Sequence, residues 1–249
     1  MLIYIMIPKL IHIIWWQGID KIPNKFKHNI NSWKNKNPNY IIKLWDEKII
    51  NKEFSNFHMN KIRSYKKMIQ KIDYSKYVII YDYGGCYVDI DMICNDSLDI
   101  YLNQNKINVS LFYFTKIKIY PIINNGFIAC KKNNKNILNI LNECNKYADN
   151  DYLIHELTVM KTTGPLLFNE ILINSDDINI LNSDIIYESN IQEYGLNNNK
   201  GKLACHLHEF SWINQNLLFF IKLYVIFNQN IDNIIIFIII CLFIYFIRK

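Results

Sequence analysis

The chain has 249 residues, 51% of them hydrophobic, which suits a single core of ordinary domain size and requires no second domain. Its net charge of +6 is diffuse, with lysines alternating with asparagines through Lys21 to Lys52 and no basic block, so nucleic acid is not an expected partner. Six cysteines form no Cys-x-x-Cys pair, against a zinc ribbon; Cys241 falls in an apolar tail and leaves an odd number for the globular part, against a complete disulfide framework.

In chain order, Met1 to Ile7 merges into a predicted buried strand at Lys9 to Trp16, leaving no room for a signal peptide. After a turn at Gly18, Pro23 to Asn35 predicts a helix with Phe26, Ile30 and Trp33 on one face. Tyr40 to Trp45 reads as a second strand, and Lys61 to Tyr83 as one or two helices stopped by Gly84-Gly85. A strand at Cys86 to Asp91 follows at once. Val109 to Phe114 and Asn125 to Cys130 look like strands, and Asn136 to Tyr147, Leu153 to Thr158 and Leu166 to Ile173 like helices. Alternating strands and helices predict an α/β fold with a mainly parallel central sheet, whose crevice lies at the carboxyl ends of the strands.

The carboxyl end is expected to be separate, dividing the chain into a globular part at 1–216 and a hydrophobic tail at 217–249. Ile234 to Ile247 is an unbroken apolar run followed by Arg248-Lys249. As a helix it would reach roughly 21 Å, short of a hydrocarbon core of about 30 Å. Its apolar faces on every side predict a membrane anchor that inserts with help from flanking residues or lies at the interface; the positive-inside rule would put the basic pair on the cytosolic side, and without a signal peptide the catalytic part is expected to be cytosolic.

The most informative stretch is Tyr83 to Asp91, Tyr-Gly-Gly-Cys-Tyr-Val-Asp-Ile-Asp, in a chain with only 7 glycines. Extended-strand alternation would put Asp89 and Asp91 on one face, converging on a hard divalent cation that carries a diphosphate. An Asp-nucleophile phosphohydrolase also uses Asp-x-Asp, but wants Thr or Val where Ile93 stands, and no phosphate loop follows.

Other segments fall in a recognisable order around it: Ile7-Pro8-Lys9-Leu10-Ile11-His12-Ile13-Ile14-Trp15, then Trp45-Asp46, Asp73 ahead of the Gly-Gly turn, and Thr163-Gly164-Pro165. With these pieces the chain resembles glycosyltransferase family 32, the group with a DXD sugar-binding region that includes outer-chain mannosyltransferases, over roughly Ile7 to Trp212. More distantly it is similar to glucosylating bacterial toxins. The resemblance implies a GT-A fold, a nucleoside diphosphate sugar donor, a glycan or glycoconjugate acceptor, Mn²⁺ or Mg²⁺, and retention of anomeric configuration.

It further implies that Asp91 ligates the metal, that Asp89 meets the ribose or donor sugar and the metal, and that Asp73 contacts sugar hydroxyls. Lys76 stands where the family usually has Arg, so the bidentate contact of a guanidinium is lost while a charge that can stabilise the leaving group remains. Trp15 matches a base-stacking aromatic, though a core role suits it equally, and Tyr87 likewise either packs on the nucleotide or is core. His12 reads as a satisfied core histidine. Asn124-Asn125-Gly126-Phe127 looks like a loop ahead of a strand, with Asn125 facing hydroxyls. His206 takes the place of the family's closing histidine, with Trp212 covering the site, but the extra His208 and Glu209 leave open which of the three reaches the metal. An inactive, membrane-tethered sugar-binding protein is the alternative that these departures permit.

Overall fold

The computed structural model describes residues 6–113, 121–148, 150–152, 155–189, 200–209 and 213. Trp212 and the apolar tail lie outside the described residues. The chain divides into two units, Met1–Glu209 and Phe210–Lys249. Among the described residues no helix is long and apolar enough to cross a membrane.

The first unit is an α/β fold on a six-stranded sheet. Strands β1 (Leu10–Ile14), β2 (Ile41–Trp45), β3 (Gly85–Val88), β5 (Ile107–Phe112), β6 (Ile122–Cys130) and β7 (Ile178–Leu181) lie in the order β2-β1-β3-β6-β5-β7. Strand β6 runs against its neighbours β3 and β5, and the remaining pairs are parallel. A smaller sheet, ordered β4-β9-β8, joins β4 (Met92–Cys94), β9 (Ala204–His206) and β8 (Ile186–Glu188). Helices α1 (Asn24–Lys36), α2 (Glu47–Glu53), α3 (Asn56–Ser64), α4 (Met68–Tyr83), α5 (Lys135–Lys146), α6 (His155–Thr162) and α7 (Pro165–Leu172) complete the unit.

Two apolar clusters flank the large sheet. One gathers Trp45, Tyr77, Ile79, Ile128, Ile140 and Phe168; the other Ile11, Trp33, Val88, Phe127, Leu181 and Leu203. Helix α4 is buried along most of its length, Asp73 and Lys76 included, so this pair is not the exposed ion pair that an ordinary surface helix would carry. It stops at Gly84, whose φ of 65° needs no Cβ and whose N–H caps Ile80 O at 3.0 Å. A Cβ on Gly84 would lie 2.5 Å from the Lys132 nitrogen, and one on Gly85 2.7 Å from the Leu10 carbonyl. The Gly-Gly pair thus lets a buried helix turn directly into a central strand.

His12 is a core residue. Its Nε2 lies 2.9 Å from Gly84 O, and Nδ1 accepts from Trp45 Nε1 at 3.1 Å, so both ring nitrogens are used in joining β1, β2 and the Gly-Gly turn. Burial lowers its pKa to about 4. Asp46 caps α2, accepting from the Ile49 N–H at 2.9 Å.

Two expectations are corrected. The strand expected over Cys86 to Asp91 ends at Val88: after a last ladder bond from Asp89 N–H to Gly126 O (2.9 Å), the chain turns, and Met92 N–H donates to Asp89 O at 3.0 Å. Asn124 to Phe127 is not a loop ahead of a strand but lies within β6. There the pairing with β5 jumps from Val109↔Ile128 to Ser110↔Asn124, so Asn125, Gly126 and Phe127 bulge relative to β5.

Candidate active site

The tight turn at Asp89-Ile90-Asp91, rather than strand alternation, brings the two carboxylates together at the carboxyl end of β3. Helix α1 fixes the turn from behind. Asn29 Nδ2 donates to Ile90 O at 3.0 Å, Trp33 Nε1 to Met92 O at 3.1 Å, and the Cys94 N–H to Ser32 Oγ at 2.8 Å. Across the small sheet, β9 places His206 opposite Met92 on one side and Glu188 on the other.

His206 Nε2 lies 3.2 Å from Asp91 Oδ1 and 3.6 Å from Asp89 Oδ2, and its Nδ1 is 2.8 Å from Glu188 Oε2. Asp89, Asp91 and His206 each offer one ligand atom, all within 4.8 Å of one another. Two carboxylates and an imidazole are a donor set that fits Mn²⁺ or Mg²⁺. Of the three C-terminal candidates, His206 is the one whose ring nitrogen faces the carboxylates. His208 Nε2 instead binds Glu188 Oε2 at 2.6 Å, and the Glu209 carboxylate takes Lys25 at 2.7 Å while its N–H donates to Asp91 Oδ2 at 2.9 Å. His208 adopts a φ of 49° and stacks its ring on His206 with centroids 3.8 Å apart.

The electrostatics follow from this packing. Burial alone would disfavour an imidazolium, but Glu188 and Asp91 reverse it and hold His206 well above the ordinary histidine pKa. Burial would likewise raise the two carboxyls, yet the His206 charge and the hydrogen bonds around them hold Asp91 and Glu188 well below the usual range. His208 is pushed down by burial and by the neighbouring charge of His206.

A second network reaches the same carboxylates from α4. Lys76 Nζ is 3.0 Å from Asp73 Oδ1 and 3.3 Å from Asp89 Oδ1, and donates to Asn125 O at 3.3 Å. Burial opposes its charge, but Asp89 and Asp73 outweigh this and raise its pKa. Asp73 accepts from Asn125 Nδ2 (3.1 Å) and Thr163 Oγ1 (3.3 Å), and burial, only partly offset by Lys76, lifts its pKa to about 6. Tyr77 joins the network, accepting from Asn125 Nδ2 at 2.8 Å and donating to Thr163 O at 2.7 Å. Thr163-Gly164-Pro165 thereby ties the start of α7 to Asp73.

Tyr87 is buried, and its hydroxyl donates to Asp89 Oδ1 at 2.8 Å while Lys76 Nζ lies over its ring. Trp15, just beyond β1, is half-buried against Phe26 with centroids 5.5 Å apart, and its buried Nε1 has no partner among the described residues. Trp16 is the fully packed member of that pair.

Sequence reasoning missed Glu188, Asn124, Tyr77 and the importance of Gly126. Glu188 carried one readable signal, a lone carboxylate ending the apolar segment Ile185-Ile186-Tyr187. Gly126 has a steric reason: a Cβ there would lie 2.6 Å from His206 Cε1 and 2.8 Å from Asp89 Oδ2.

A mainly parallel α/β sheet with one reversed strand, and an acidic Asp-x-Asp turn at the end of β3, define a GT-A type of architecture. Solved structures agree on the fold: the PaToxG glycosyltransferase superposes with a TM-score of 0.52 at 22% identity, over 67% of this chain and 69% of that one. Residues 23–108, Asp89 and Asp91 among them, match the family described as a glycosyltransferase sugar-binding region containing a DXD motif. Over that segment, which holds the Asp-x-Asp turn, the chain is similar to the DXD-containing glycosyltransferases.

A glycosyltransferase of Acanthamoeba polyphaga mimivirus, itself uncharacterized, is 27% identical over 199 residues, 75% of each chain. Inositol phosphoceramide mannosyltransferase 3 of Schizosaccharomyces pombe is 29% identical over 166 residues, 66% of this chain and 44% of that enzyme. The chain thus spans less than half the length of this yeast relative.

Proposed function

We propose that the chain is a metal-dependent, retaining hexosyltransferase that moves a sugar from a nucleoside diphosphate donor to a hydroxyl of a glycan or glycoconjugate. The observation that carries this reading is the convergence of Asp89, Asp91 and His206 on one point at the carboxyl end of a central strand. These three residues would hold Mn²⁺ or Mg²⁺, which when bound neutralises charge on the donor diphosphate.

The chain's own residues have the remaining tasks. Lys76, pinned between Asp73 and Asp89, fixes both carboxylates and adds positive charge near the leaving group. Asp73 and Asn125 orient donor hydroxyls from α4 and β6. Trp15 offers an aromatic face to the base, and its indole N–H remains available to an acceptor on the donor. The bond from the sugar C1 to the departing phosphate oxygen breaks, and a bond from the acceptor oxygen to C1 forms on the same face. The acceptor proton passes to the departing phosphate oxygen, which needs no protein nucleophile.

The mannosyltransferase relatives favour mannose as the first donor sugar to test, and inositol phosphoceramide, named in one of them, as a first acceptor. The apolar run at 234–247 would tether the protein to a membrane.

The test is release of nucleotide by the full chain from a panel of UDP- and GDP-sugars, with and without Mn²⁺. Metal-dependent release from one donor is expected, and Asp91→Asn should abolish it without altering circular dichroism. Full activity in that variant, or activity unchanged by chelator, would overturn the reading.

A further inference from the structure

Glu188 lies outside the Asp-x-Asp turn, yet four side chains hydrogen-bond its carboxylate. Its side chain is 1% exposed. Oε1 accepts from Ser110 Oγ at 2.5 Å; Oε2 accepts from Asn124 Nδ2 at 3.0 Å and faces His206 Nδ1 at 2.8 Å and His208 Nε2 at 2.6 Å. Three elements, β5, β6 and β9, thus contribute side chains to hold one buried carboxylate on β8. A carboxylate buried this deeply is costly unless its lone pairs are filled, and here they are.

We propose that Glu188 is a positioning residue that sets the tautomer and orientation of His206. An ionised carboxylate only accepts hydrogen bonds, so the ring nitrogen facing it must carry hydrogen. With the proton fixed on Nδ1, the neutral ring presents its Nε2 lone pair to the point shared with Asp89 and Asp91. This arrangement, in which a buried carboxylate orients a metal-binding imidazole, also raises the basicity of the ring. Asn124 and Ser110 act one step further out: they keep Glu188 from rotating. His208 fills the remaining direction on Oε2 and stacks on His206, which limits rotation of the ring. The inference rests on the proposal that His206 completes a metal site.

The experiment is a double-mutant cycle on the full chain, reading the dissociation constant of Mn²⁺ alone by electron paramagnetic resonance of the free ion. Glu188→Gln should weaken Mn²⁺ binding about 10- to 100-fold, and His206→Ala at least as much. In the His206→Ala background, Glu188→Gln should have no further effect, because its action runs through that ring. An equal loss from Glu188→Gln in both backgrounds, or no loss where His206→Ala does weaken binding, overturns the positioning role and leaves the metal reading intact. Unchanged binding in His206→Ala overturns both. If Glu188→Gln does not fold, ¹⁵N spectra of histidine-labelled wild-type protein with Mg²⁺ bound decide the matter. The proposal requires a proton on Nδ1 and none on Nε2 of His206, and the reverse tautomer refutes it.

Discussion

Asp73 is buried, and the Lys76 ammonium beside it is divided between it and Asp89. Its pKa is raised from an ordinary 3.8 to about 6, chiefly by burial. A raised carboxyl pKa means that the folded state holds a proton which the unfolded chain has already released. Between pH 4 and 6 folding is therefore linked to proton uptake, and stability falls as pH rises through that window. The penalty is absent below about pH 4 and complete above about pH 6, reaching about 3 kcal/mol. Asp73→Asn removes the titration, so the stability of wild type relative to this variant should decline from pH 4 to 6 and then level off. Urea unfolding of both proteins along that series checks it; a difference independent of pH, or one rising with pH, would sink the account. Asp73, Asp89 and Asp91 were legible in the sequence because the Gly-Gly turn and the Asp-x-Asp lie together in a short stretch. Glu188 was not, since its partner His206 is 18 residues away and the two meet only through the parallel register of β8 on β9.

At the scale of elements, the site is made by two irregularities that hydrophobic periodicity cannot reveal. Strand β3 stops at Val88 because α1 and β6 capture the next backbone groups, converting the expected strand end into a turn. The bulge in β6 then brings the backbone of Gly126 against His206 and Asp89. The longer apolar patterns were readable: the expected helix at 136–147 is α5, and that at 166–173 is α7. By contrast β4, β8 and β9 have three residues each, too few to show a period. The bulge makes a specific prediction. In Gly126→Ala the methyl would displace site side chains rather than backbone, so the fold should survive at a cost of about 1–3 kcal/mol. Nucleotide release, in contrast, should fall by at least about tenfold, as misplacement of reacting groups by an ångström commonly does. Thermal melting together with release assays separates the two effects, and a variant that melts early but retains full turnover would contradict this assignment of Gly126.

For the whole molecule, both described apolar clusters are built from residues between Ile7 and Cys205, on the two faces of the large sheet. The first unit closes at Glu209, just after the histidines, and among the described residues the hydrogen bonds that shape the Asp89-Asp91 turn come from within it. A unit with its own apolar cores can in principle fold by itself. The chain ended at Asn216 should therefore unfold in one cooperative transition, within about 4 °C of the full-length protein. It should also bind Mn²⁺ with an unchanged dissociation constant. Membrane association is the property expected to disappear: if the run at 234–247 is the tether, full-length protein should remain with carbonate-washed membranes and the shortened form should not. The two readouts are independent, because a collapse of the melting transition would mean that the tail takes part in the fold, whereas intact melting with unchanged membrane binding would place the tether elsewhere in the chain.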